Sequence, residues 1–289
     1  MKTLITGGGG QVAAALVASA PQDCRLWAPP RAELDICEVA AVKDAIGRFE
    51  PDVIINTAAY TAVDRAESEA AIAVRVNADA VGTLARSAAD HGARLVHIST
   101  DFVFDGSANM PYRTDAAAAP INVYGRSKLA GEQAALAIPD SLVVRTAWVY
   151  GATGANFVKT MLRLMRREAE IRVVNDQIGT PTHAASLART LWQLARRNAA
   201  GVLHATDAGV ASWYDFAVAI AEEACAMGLI HRPVSVLPIM TADYPTPARR
   251  PQFSVLDKSA TWQLLGARAA HWRVELREML QTLGAFDRE

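Results

Sequence analysis

Short apolar runs alternate with longer amphipathic segments through the first half of this 289-residue chain. Such runs favour strands and the longer segments favour helices, so the pattern predicts alternating β and α elements. The predicted strands are TLITG (3–7), CRLWA (24–28), DVIINTAA (52–59), RLVHIST (94–100) and SLVVRTAWVYG (141–151). The predicted helices cover 11–20, 39–49, 68–92 and a segment around Tyr124. Strands that are apolar without alternation are typical of a parallel sheet covered on both faces. We therefore predict an α/β fold with a doubly wound, Rossmann-type parallel sheet.

The composition argues against several classes of protein. The net charge is −1, so electrostatics give no reason to expect a nucleic acid or an anionic membrane as partner. No apolar run approaches the roughly 20 residues that a membrane-spanning helix needs, and the N-terminus lacks the pattern of a signal peptide. The three cysteines and six histidines are too scattered for a disulfide framework or a zinc site. We expect a cytoplasmic protein and assign no residue to a metal site.

A glycine-rich turn, TGGGGQVAA, follows the first predicted strand. Gly7, Gly10 and Ala13 fit the pattern G-x-x-G-x-x-A, which places small residues at a tight turn, at a pyrophosphate and at a helix–strand contact. The helix that begins there offers free N–H groups to a phosphate. A flexible turn would look similar, but this one opens a βαβ unit, so we predict a dinucleotide site. Its expected residues also include Gln11, Val12, Ala58 and Ala59.

The residues after the second strand bear on the choice of cofactor. In such sites an acidic residue holds the ribose 2′-hydroxyl of NAD, whereas an arginine can hold the 2′-phosphate of NADP. The segment APPRAELD has Arg31 close to the strand and Asp35 a little later. This order favours NADPH and leaves NADH as the alternative. Asp35 and Ile36 are expected to contact the adenine.

Tyr124 and Lys128 lie one turn apart on the same face of a predicted helix. A phenol has an ordinary pKa near 10, and an ammonium group close by favours the phenolate and can also bind the nicotinamide ribose. Thr100, at the end of the fourth strand, adds a hydroxyl that can bind a substrate carbonyl. Beside a nicotinamide these three groups form a carbonyl-reduction site. The alternatives are a surface ion pair between Lys128 and Glu132 and a capping role for Thr100.

The pattern changes after about residue 150, where Pro-rich loops such as PTPARRP separate the helices. We predict an NAD(P)-binding domain over 1–150 and a smaller, interleaved α/β domain, mainly substrate-binding, over 151–289. Part of 170–205 is expected to return to the first domain. The segment GVLHAT (201–206) is predicted to be a strand that rejoins the main sheet.

Longer motifs extend over nearly the whole chain. They are GGGGQV, PDVIINTAAYTAVDRAESE, VNADAVGTLA, HISTDFVFDG, PINVYGRSKLAGE, RTAWVYG, NFVKTMLRL, NDQIGTPT, SWYDFA and YPTPARRPQFSVL. In these stretches the chain resembles the dTDP-4-dehydrorhamnose reductase family, among the extended short-chain dehydrogenases/reductases. The Tyr-x-x-x-Lys pair indicates only the superfamily, whereas TAVDRAE, NDQIGTPT and TPARRP are much more specific.

The resemblance implies reduction of the C4 keto group of dTDP-4-dehydro-6-deoxy-L-mannose, which gives dTDP-L-rhamnose. By the family pattern Tyr124 donates the proton, Lys128 tunes the phenol and holds the ribose, and Thr100 positions the carbonyl. Asp101 and Trp148 match positions expected near the sugar. The implied partner is therefore a dTDP-sugar substrate.

The resemblance also places Arg249 and Arg250 near the nucleotide, where the arginine fork suits a phosphate. A solvated basic loop is the alternative. Ala13 stands where family members often have Gly, a change that a helix–strand contact should tolerate. Some members form a dimer linked by Mg²⁺ through a Glu of the first helix, but AAALVA offers no carboxylate. A homodimer stays open, and that metal bridge is not expected.

Three other interpretations remain open. The same groups would serve a sugar-nucleotide epimerase, or a reductase of different stereochemistry. The fold would also suit a non-catalytic regulatory subunit resembling the methionine adenosyltransferase beta subunit, although the intact Tyr124, Lys128 and Thr100 argue against it. A nucleotide-sensing protein would bind the cofactor without turnover. Tightly bound oxidised cofactor would favour the epimerase, and freely exchanging cofactor the reductase.

Overall fold

The computed structural model describes residues 1–286 as alternating strands and helices. The strands are β1 (Lys2–Thr6), β2 (Arg25–Trp27), β3 (Val53–Asn56), β4 (Arg94–Thr100), β5 (Leu142–Thr146), β6 (Val149–Tyr150), β7 (Glu170–Val174), β8 (Ile178–Gly179), β9 (Thr182–His183), β10 (Gly201–His204), β11 (Ala211–Ser212) and β12 (Ser235–Ile239). The helices are α1 (Gln11–Ala18), α2 (Val39–Phe49), α3 (Val63–Ala66), α4 (Ala70–Val74), α5 (Ala80–Asp90), α6 (Val123–Leu136), α7 (Phe157–Met165), α8 (Ala184–Arg196), α9 (Trp213–Ala226), α10 (Ser259–Leu265) and α11 (Trp272–Phe286). No helix within 1–286 is long and apolar enough to cross a bilayer.

A six-stranded sheet in the order β2-β1-β3-β4-β5-β10 forms the centre of the fold. Every neighbouring pair in it is parallel. The strand order changes direction between β1 and β3, and in open α/β sheets ligands bind at the carboxyl ends of the strands at such a point. The prediction of a doubly wound parallel sheet is confirmed.

Apolar clusters cover both faces of this sheet. On one face α2 and α5 bury side chains such as Ile46 and Leu84, and on the other α1 and α8 bury Leu16 and Leu191. Every residue of β3 and of β5 is buried. Because each strand contributes apolar side chains to both faces, the period-two alternation of a half-exposed sheet is absent from the sequence.

A further apolar cluster lies among α7, α9 and α11, with Phe216 and Met279 at its centre. Pairs of short strands flank it: β7 with β12 and β6 with β9 are parallel, and β8 with β11 is antiparallel. The chain returns from this cluster to the central sheet through β10, which pairs with β5. The division into domains at residue 150 stays a prediction.

Two predicted elements differ from the structure. The segment 141–151 is not one strand, because Ala147 and Trp148 interrupt it between β5 and β6, and Trp148 has a left-handed backbone with φ +47°. The predicted helix over 68–92 contains a π-helical turn at Arg75–Asp79, between α4 and α5. Periodicity predicts neither feature, since both depend on contacts with distant residues.

Candidate active site

The turn between β1 and α1 has a backbone that glycine alone fits. Gly7 has φ +75°, and a Cβ there would lie 2.8 Å from the backbone of Ala58. A Cβ on Gly8 would lie 2.1 Å from the carbonyl oxygen of Ala28. Gly10 is the N-cap of α1, and its N–H donates to the carbonyl oxygen of Gly7 at 2.9 Å. The start of α1 is thereby held close to the ends of β2 and β3.

A cavity of about 250 Å³ lies beside this turn. Its lining residues are Gly7, Gly9, Gly10, Arg31, Leu34, Asp35, Ile36, Thr57, Ala58, Ala59 and Val76. It thus brings together the cofactor residues predicted from the ends of β1, β2 and β3. Arg31 Nε donates to Asp35 Oδ2 at 3.0 Å, and the backbone N–H of Cys37 donates to Asp35 Oδ1 at 3.0 Å. The Cys37 N–H and Arg31 hold the pKa of Asp35 below its usual value despite partial burial, so this carboxylate is charged at neutral pH.

A second cavity, of about 480 Å³, continues from the first across the carboxyl ends of the central strands. Both cavities share Gly9, Gly10, Thr57 and Ala59, so we refer to the two together as the cleft. The second cavity is lined by the predicted residues Gln11, Val12, Thr100, Asp101, Tyr124, Lys128 and Trp148. The structure therefore brings the predicted catalytic residues and two of the predicted sugar contacts to one end of the dinucleotide groove.

Tyr124 lies in the first turn of α6, next to Thr100 at the end of β4. Asn122 caps this helix by accepting a hydrogen bond from the backbone N–H of Gly125 at 2.7 Å. Burial raises the pKa of the Tyr124 phenol to about 12, a hydrogen bond with the Thr100 hydroxyl lowers it, and the Asp101 carboxylate raises it. The phenol is therefore protonated at neutral pH and can act as an acid.

Asp101 is a buried carboxyl group directly beside these two hydroxyls. Thr100 Oγ1 donates to Asp101 Oδ1 at 3.0 Å and accepts from the backbone N–H of Phe102 at 3.2 Å. Thr100 thus caps the short 3₁₀ turn that follows β4, as one interpretation predicted, while it also lines the cleft. Burial raises the pKa of Asp101 to about 6, against hydrogen bonds from Ser254 and Thr100 that lower it.

Lys128 is buried on the face of α6 that meets β4. Its Nζ donates to the carbonyl oxygen of Ile98 at 2.7 Å and lies 3.3 Å from His97 Nε2. Burial lowers the pKa of the Lys128 amine to about 8, and the charge of Glu132 opposes this effect. The Lys128 charge is not among the causes that set the pKa of Tyr124, so the expected tuning stays a prediction.

Glu132 forms its ion pair with a different residue. Arg145 donates to both carboxylate oxygens of Glu132, at 2.9 and 2.7 Å, and the Ser99 hydroxyl also donates to Glu132. All of these side chains are buried, as is Lys128. The alternative of an exposed surface pair between Lys128 and Glu132 is therefore wrong, because the packing of α6 on β4 and β5 buries both residues.

Trp148 stands at the wall of the cleft in a constrained conformation. Its indole stacks on that of Trp213, with ring centroids 3.5 Å apart and planes 4° apart. A Cβ on Gly179 would lie 2.6 Å from the indole, so Gly179 gives the ring its space. A left-handed backbone costs a non-glycine residue about 1–2 kcal/mol, and the φ of +47° is held by these contacts.

The two arginines of TPARRP have different surroundings. Arg250 is half-buried and forms an ion pair with Asp64, with Nη2 2.8 Å from Oδ2 and Nη1 3.0 Å from Oδ1. Arg249 is exposed, and its carbonyl oxygen accepts a hydrogen bond from Asn122 at 2.8 Å. Neither residue lines the two cavities of the cleft. Their predicted contact with the nucleotide stays a prediction.

The cleft includes residues that sequence analysis missed. They are Gly9, Leu34, Thr57, Thr61, Val76, Ile98, Ser99, Thr146, Ala147, Val149, Gly154 and Ala155. Thr57, Ser99 and Thr146 lie at or just beyond the carboxyl ends of β3, β4 and β5. That position is itself a signal for ligand contact in a doubly wound sheet. The remaining residues approach the cleft from loops whose course the sequence does not reveal.

The cleft fits a nicotinamide dinucleotide. A Cβ on Gly9 would meet no atom within 4 Å, so the turn leaves open space where a larger side chain would project. Gln11 connects the turn to the far wall, since its Nε2 donates to the carbonyl oxygen of Ala155 at 3.3 Å and its Oε1 accepts from Asn156 Nδ2 at 2.9 Å. The Gly7 to Val12 turn would hold the pyrophosphate, and Lys128 would face the nicotinamide ribose.

The residues do not fit the family's metal-linked dimer. Helix α1 has the sequence QVAAALVA, without a carboxylate. In the part of the chain that the structure describes, ligand atoms of His183, Glu275 and Glu278 lie within 4.8 Å of one another. Glu275, however, already accepts from His183 at 2.9 Å and pairs with Arg189 at 2.6 Å.

A dinucleotide groove that ends at a tyrosine and a lysine one helical turn apart is the arrangement of nicotinamide-dependent short-chain dehydrogenases/reductases. Comparison with known proteins narrows this class. Residues 1–285 match the family described as RmlD substrate binding domain. The chain belongs to this family.

Relatives of similar length support the assignment. A dTDP-4-dehydrorhamnose reductase of Mycobacterium tuberculosis (strain ATCC 25618 / H37Rv) is 45% identical over 288 residues, which cover 96% of this chain and 92% of the relative. The spore coat polysaccharide biosynthesis protein SpsK of Bacillus subtilis (strain 168) is 39% identical over 282 residues, 97% of each chain. A crystal structure of dTDP-4-dehydrorhamnose reductase from Bacillus anthracis str. Ames in complex with NADP superposes with a TM-score of 0.92, at 35% identity, covering 97% of this chain and 99% of that one. The predicted family is confirmed.

Proposed function

We propose that this protein reduces the C4 keto group of dTDP-4-dehydro-6-deoxy-L-mannose to give dTDP-L-rhamnose, with a reduced nicotinamide cofactor. The observation that carries the proposal is that the hydroxyl-bearing Tyr124 and Thr100 line, together with Lys128, the cavity that continues from the dinucleotide turn. Relatives that match this chain over nearly its full length are named dTDP-4-dehydrorhamnose reductase. Geometry and relationship thus support the same reaction.

In the proposed mechanism the bound cofactor supplies hydride to C4 of the sugar. The Thr100 and Tyr124 hydroxyls hold the carbonyl oxygen, because both line the same part of the cleft. As negative charge develops on that oxygen, Tyr124 gives it a proton. The alkoxide is a stronger base than the phenolate, so this transfer is favourable although burial keeps the phenol a weak acid. Lys128 holds the ribose and, in its ammonium form, adds positive charge to the cavity that it shares with the phenolate.

The cofactor preference follows from the cavity beside β2. We propose NADPH as the preferred form and NADH as the weaker one, since Arg31 lines this cavity just after β2, and an arginine in that position can hold a 2′-phosphate. Its ion pair with Asp35 is exposed on the arginine side, so the guanidinium can turn toward a phosphate at little cost. Asp35 and Ile36 would contact the adenine side of the cofactor.

We expect the protein to act in the cytoplasm.

The sugar nucleotide would occupy the end of the cleft near Asp101 and Trp148. Asp101 offers a carboxyl group to sugar hydroxyls, and Trp148 provides a fixed aromatic wall. Arg249, which is exposed, would reach the diphosphate from its loop. That loop ends just before Phe253, which pairs with Ile178 of β8. Arg250 would act mainly by holding that loop against Asp64.

The direct test offers the purified protein dTDP-4-dehydro-6-deoxy-L-mannose with NADPH or NADH and identifies the product by NMR. We expect stoichiometric oxidation of the cofactor and a single L-rhamno product. A product epimerised at C4 or elsewhere, or tightly bound oxidised cofactor after purification, would instead support an epimerase. Binding of NADPH without turnover would support the regulatory or sensing alternatives.

A further inference from the structure

A chain of buried hydrogen bonds runs beneath the cleft from the end of β1 to Lys128. Thr6 Oγ1 donates to Asn56 Oδ1 at 2.6 Å, Asn56 Nδ2 lies 3.0 Å from His97 Nδ1, and His97 Nε2 lies 3.3 Å from Lys128 Nζ. Thr6, Asn56 and His97 are fully buried. His97 belongs to the motif HISTDFVFDG, but the proposed reaction gives it no role.

One fixed donor determines the direction of every hydrogen bond in this series. The backbone N–H of Ala58 can only donate, and it donates to Asn56 Oδ1 at 3.1 Å. The side-chain oxygen of Asn56 therefore faces Ala58 and Thr6, and its NH₂ group faces His97. His97 Nδ1 must then accept, so a neutral His97 carries its proton on Nε2. Burial and the nearby Lys128 lower the pKa of His97 well below its ordinary value, so the ring is neutral at physiological pH.

This tautomer points an N–H group at the lysine. An ammonium group has only donors and would face that N–H with no acceptor between them, whereas a neutral amine accepts it through its lone pair. Hydrogen bonding to the neutral form of a group disfavours its charged form. Every donor and acceptor in this series of hydrogen bonds, from the Ala58 N–H to Lys128, therefore has a partner only when Lys128 is a neutral amine. The amine then accepts from His97 and donates to the carbonyl oxygen of Ile98.

Other charges around Lys128 act in the opposite direction or are already paired. Glu132, one turn along α6, favours the ammonium, but its carboxylate is held by Arg145 of β5 and Ser99 of β4. Tyr124, on the same helix, is neutral at physiological pH. Among the described residues of the π-helical turn that packs on α6, Asn77 approaches through an uncharged amide that donates to Ser127. His97 is the group within hydrogen-bonding distance of Lys128 Nζ that can oppose the ammonium.

We propose that His97 is a positioning residue whose Nε2–H group holds Lys128 in a form that readily gives and takes a proton, and that Asn56 selects the tautomer required for this. The inference rests on the proposed function, in which Lys128 serves Tyr124 and the cofactor. When Tyr124 has given its proton to the substrate oxygen, the phenolate regains one from Lys128: an N–H bond of the ammonium breaks, the proton passes through the cleft that both residues line, and the O–H bond of the phenol re-forms. The resulting amine accepts from His97 until it takes a proton from water.

The test measures Lys128 and His97 directly in the full-length protein without substrate. Lysine labelled with ¹³C at Cε gives one NMR signal per lysine, and the Lys128 signal is identified by its loss in Lys128→Met. In the wild type we expect the Lys128 signal to titrate with a midpoint near pH 8, which is the lowered pKa of this amine. ¹⁵N spectra of the imidazoles should show the His97 proton on Nε2. In His97→Leu, which removes the N–H group, the Lys128 midpoint should rise by about one pH unit.

A matched control is His204→Leu, because His204 is also fully buried but lies outside the cleft. It should leave the Lys128 midpoint unchanged. If His97→Leu does not fold, two other measurements test the proposal. The first is the position of the His97 proton in the wild type. The second is Asn56→Asp, a substitution that should move the His97 proton to Nδ1 and raise the titration midpoint of Lys128. A His97 proton on Nδ1 in the wild type, or a Lys128 midpoint that His97→Leu does not shift, would overturn the proposal. Because no turnover is measured, failure here is distinct from failure of the reductase assay.

Discussion

Arg250 and Asp64 form a two-pronged ion pair between residues 186 positions apart in the chain. Arg250 also donates to the Thr246 hydroxyl and to the carbonyl oxygen of Ala248 within its own loop. The hydrogen bonds from Arg250 are the largest cause that lowers the pKa of Asp64. The loop that carries both arginines is thereby fastened to α3, beside the cleft, and Arg249 is the one that remains exposed.

We therefore expect the two arginines to respond differently to substitution by Gln. Arg249→Gln should weaken sugar-nucleotide binding by roughly 10- to 150-fold, the loss of one charge-assisted contact, and leave NADPH binding and stability unchanged. Arg250→Gln should also lower the free energy of unfolding by about 0.5–1 kcal/mol, as Asp64→Asn should, because the partly exposed ion pair is lost. Calorimetry with each ligand and urea unfolding measure these effects. Unchanged sugar-nucleotide affinity in the double Gln variant would remove both arginines from nucleotide binding and leave Arg250 only its ion pair with Asp64.

Tyr124→Phe keeps the ring, which packs edge-on against Phe102 with centroids 5.8 Å apart, and removes only the proton donor. Turnover should fall by at least about 100-fold, within the usual range for general acid catalysis. NADPH affinity should change little. Stopped-flow oxidation of NADPH and calorimetric binding measure the two quantities. A Phe variant that reduces the substrate at a near wild-type rate would remove Tyr124 from the role of acid.

Lys128→Met retains a long apolar stem but loses the amine that donates to Ile98 and faces His97. Both NADPH affinity and turnover should fall, unlike the effect of Tyr124→Phe, because the amine serves the ribose as well as the phenol. Isothermal titration with NADPH and steady-state kinetics provide the comparison. Normal affinity together with normal activity would leave Lys128 with a purely structural role.

Asp101→Asn should change how stability depends on pH. The folded pKa of Asp101 is raised from 3.8 to about 6, so the folded state binds this proton more tightly than the unfolded state does. The wild type therefore loses stability as pH rises from about 4 through 6, by up to about 3 kcal/mol for a shift of about two pH units. The Asn variant lacks this loss, so its stability relative to the wild type should increase over the same range. Urea unfolding of both proteins at pH 4 and 7.5 measures the difference in their free energies of unfolding. A difference that is the same at both pH values would contradict the raised pKa of Asp101.

Gly179→Ala should displace Trp148, because the added methyl group would lie 2.6 Å from the indole. Overpacking of this kind typically costs about 1–3 kcal/mol, and the Trp148–Trp213 stack should open. Unfolding free energy and tryptophan fluorescence report the two effects, and sugar-nucleotide affinity should fall while NADPH affinity is kept. Gly47→Ala, within helix α2, is the matched control. Its added methyl group would meet only the side chain of His91, at an ordinary contact distance of 3.5 Å. Equal stability of the two Ala variants would contradict the proposed constraint.

Much of the glycine turn and of the cleft beside it could be predicted from the sequence because its requirements are local. Gly7 must accept a left-handed backbone, and the strand and helix on either side of it have clear hydrophobic patterns. Tyr124 and Lys128 could likewise be placed together, because four residues make one helical turn. Thr100 was predicted from its position at the end of a strand.

Other parts of the site depend on contacts that no local pattern records. Asp64 and Arg250 both lie in motifs that carry the family resemblance, yet their pairing needs the course of the chain through the whole fold. The backbone of Trp148 is held by Trp213 and Gly179 from other elements, so a single predicted strand over 141–151 was wrong. The polar His97 within an apolar strand was a visible signal, but its partners come from distant segments.

Strand β10 has a consequence for how this protein is made. The central sheet reaches its sixth strand only at Gly201–His204, long after β5 has left the ribosome. Until then β5, with Leu142, Val143 and Val144, is an uncovered edge of the kind that pairs with other chains. A fragment cut at residue 150 would keep the whole dinucleotide turn but present this edge permanently. We expect such a fragment to aggregate, because β5 stays uncovered without the segment that ends at His204.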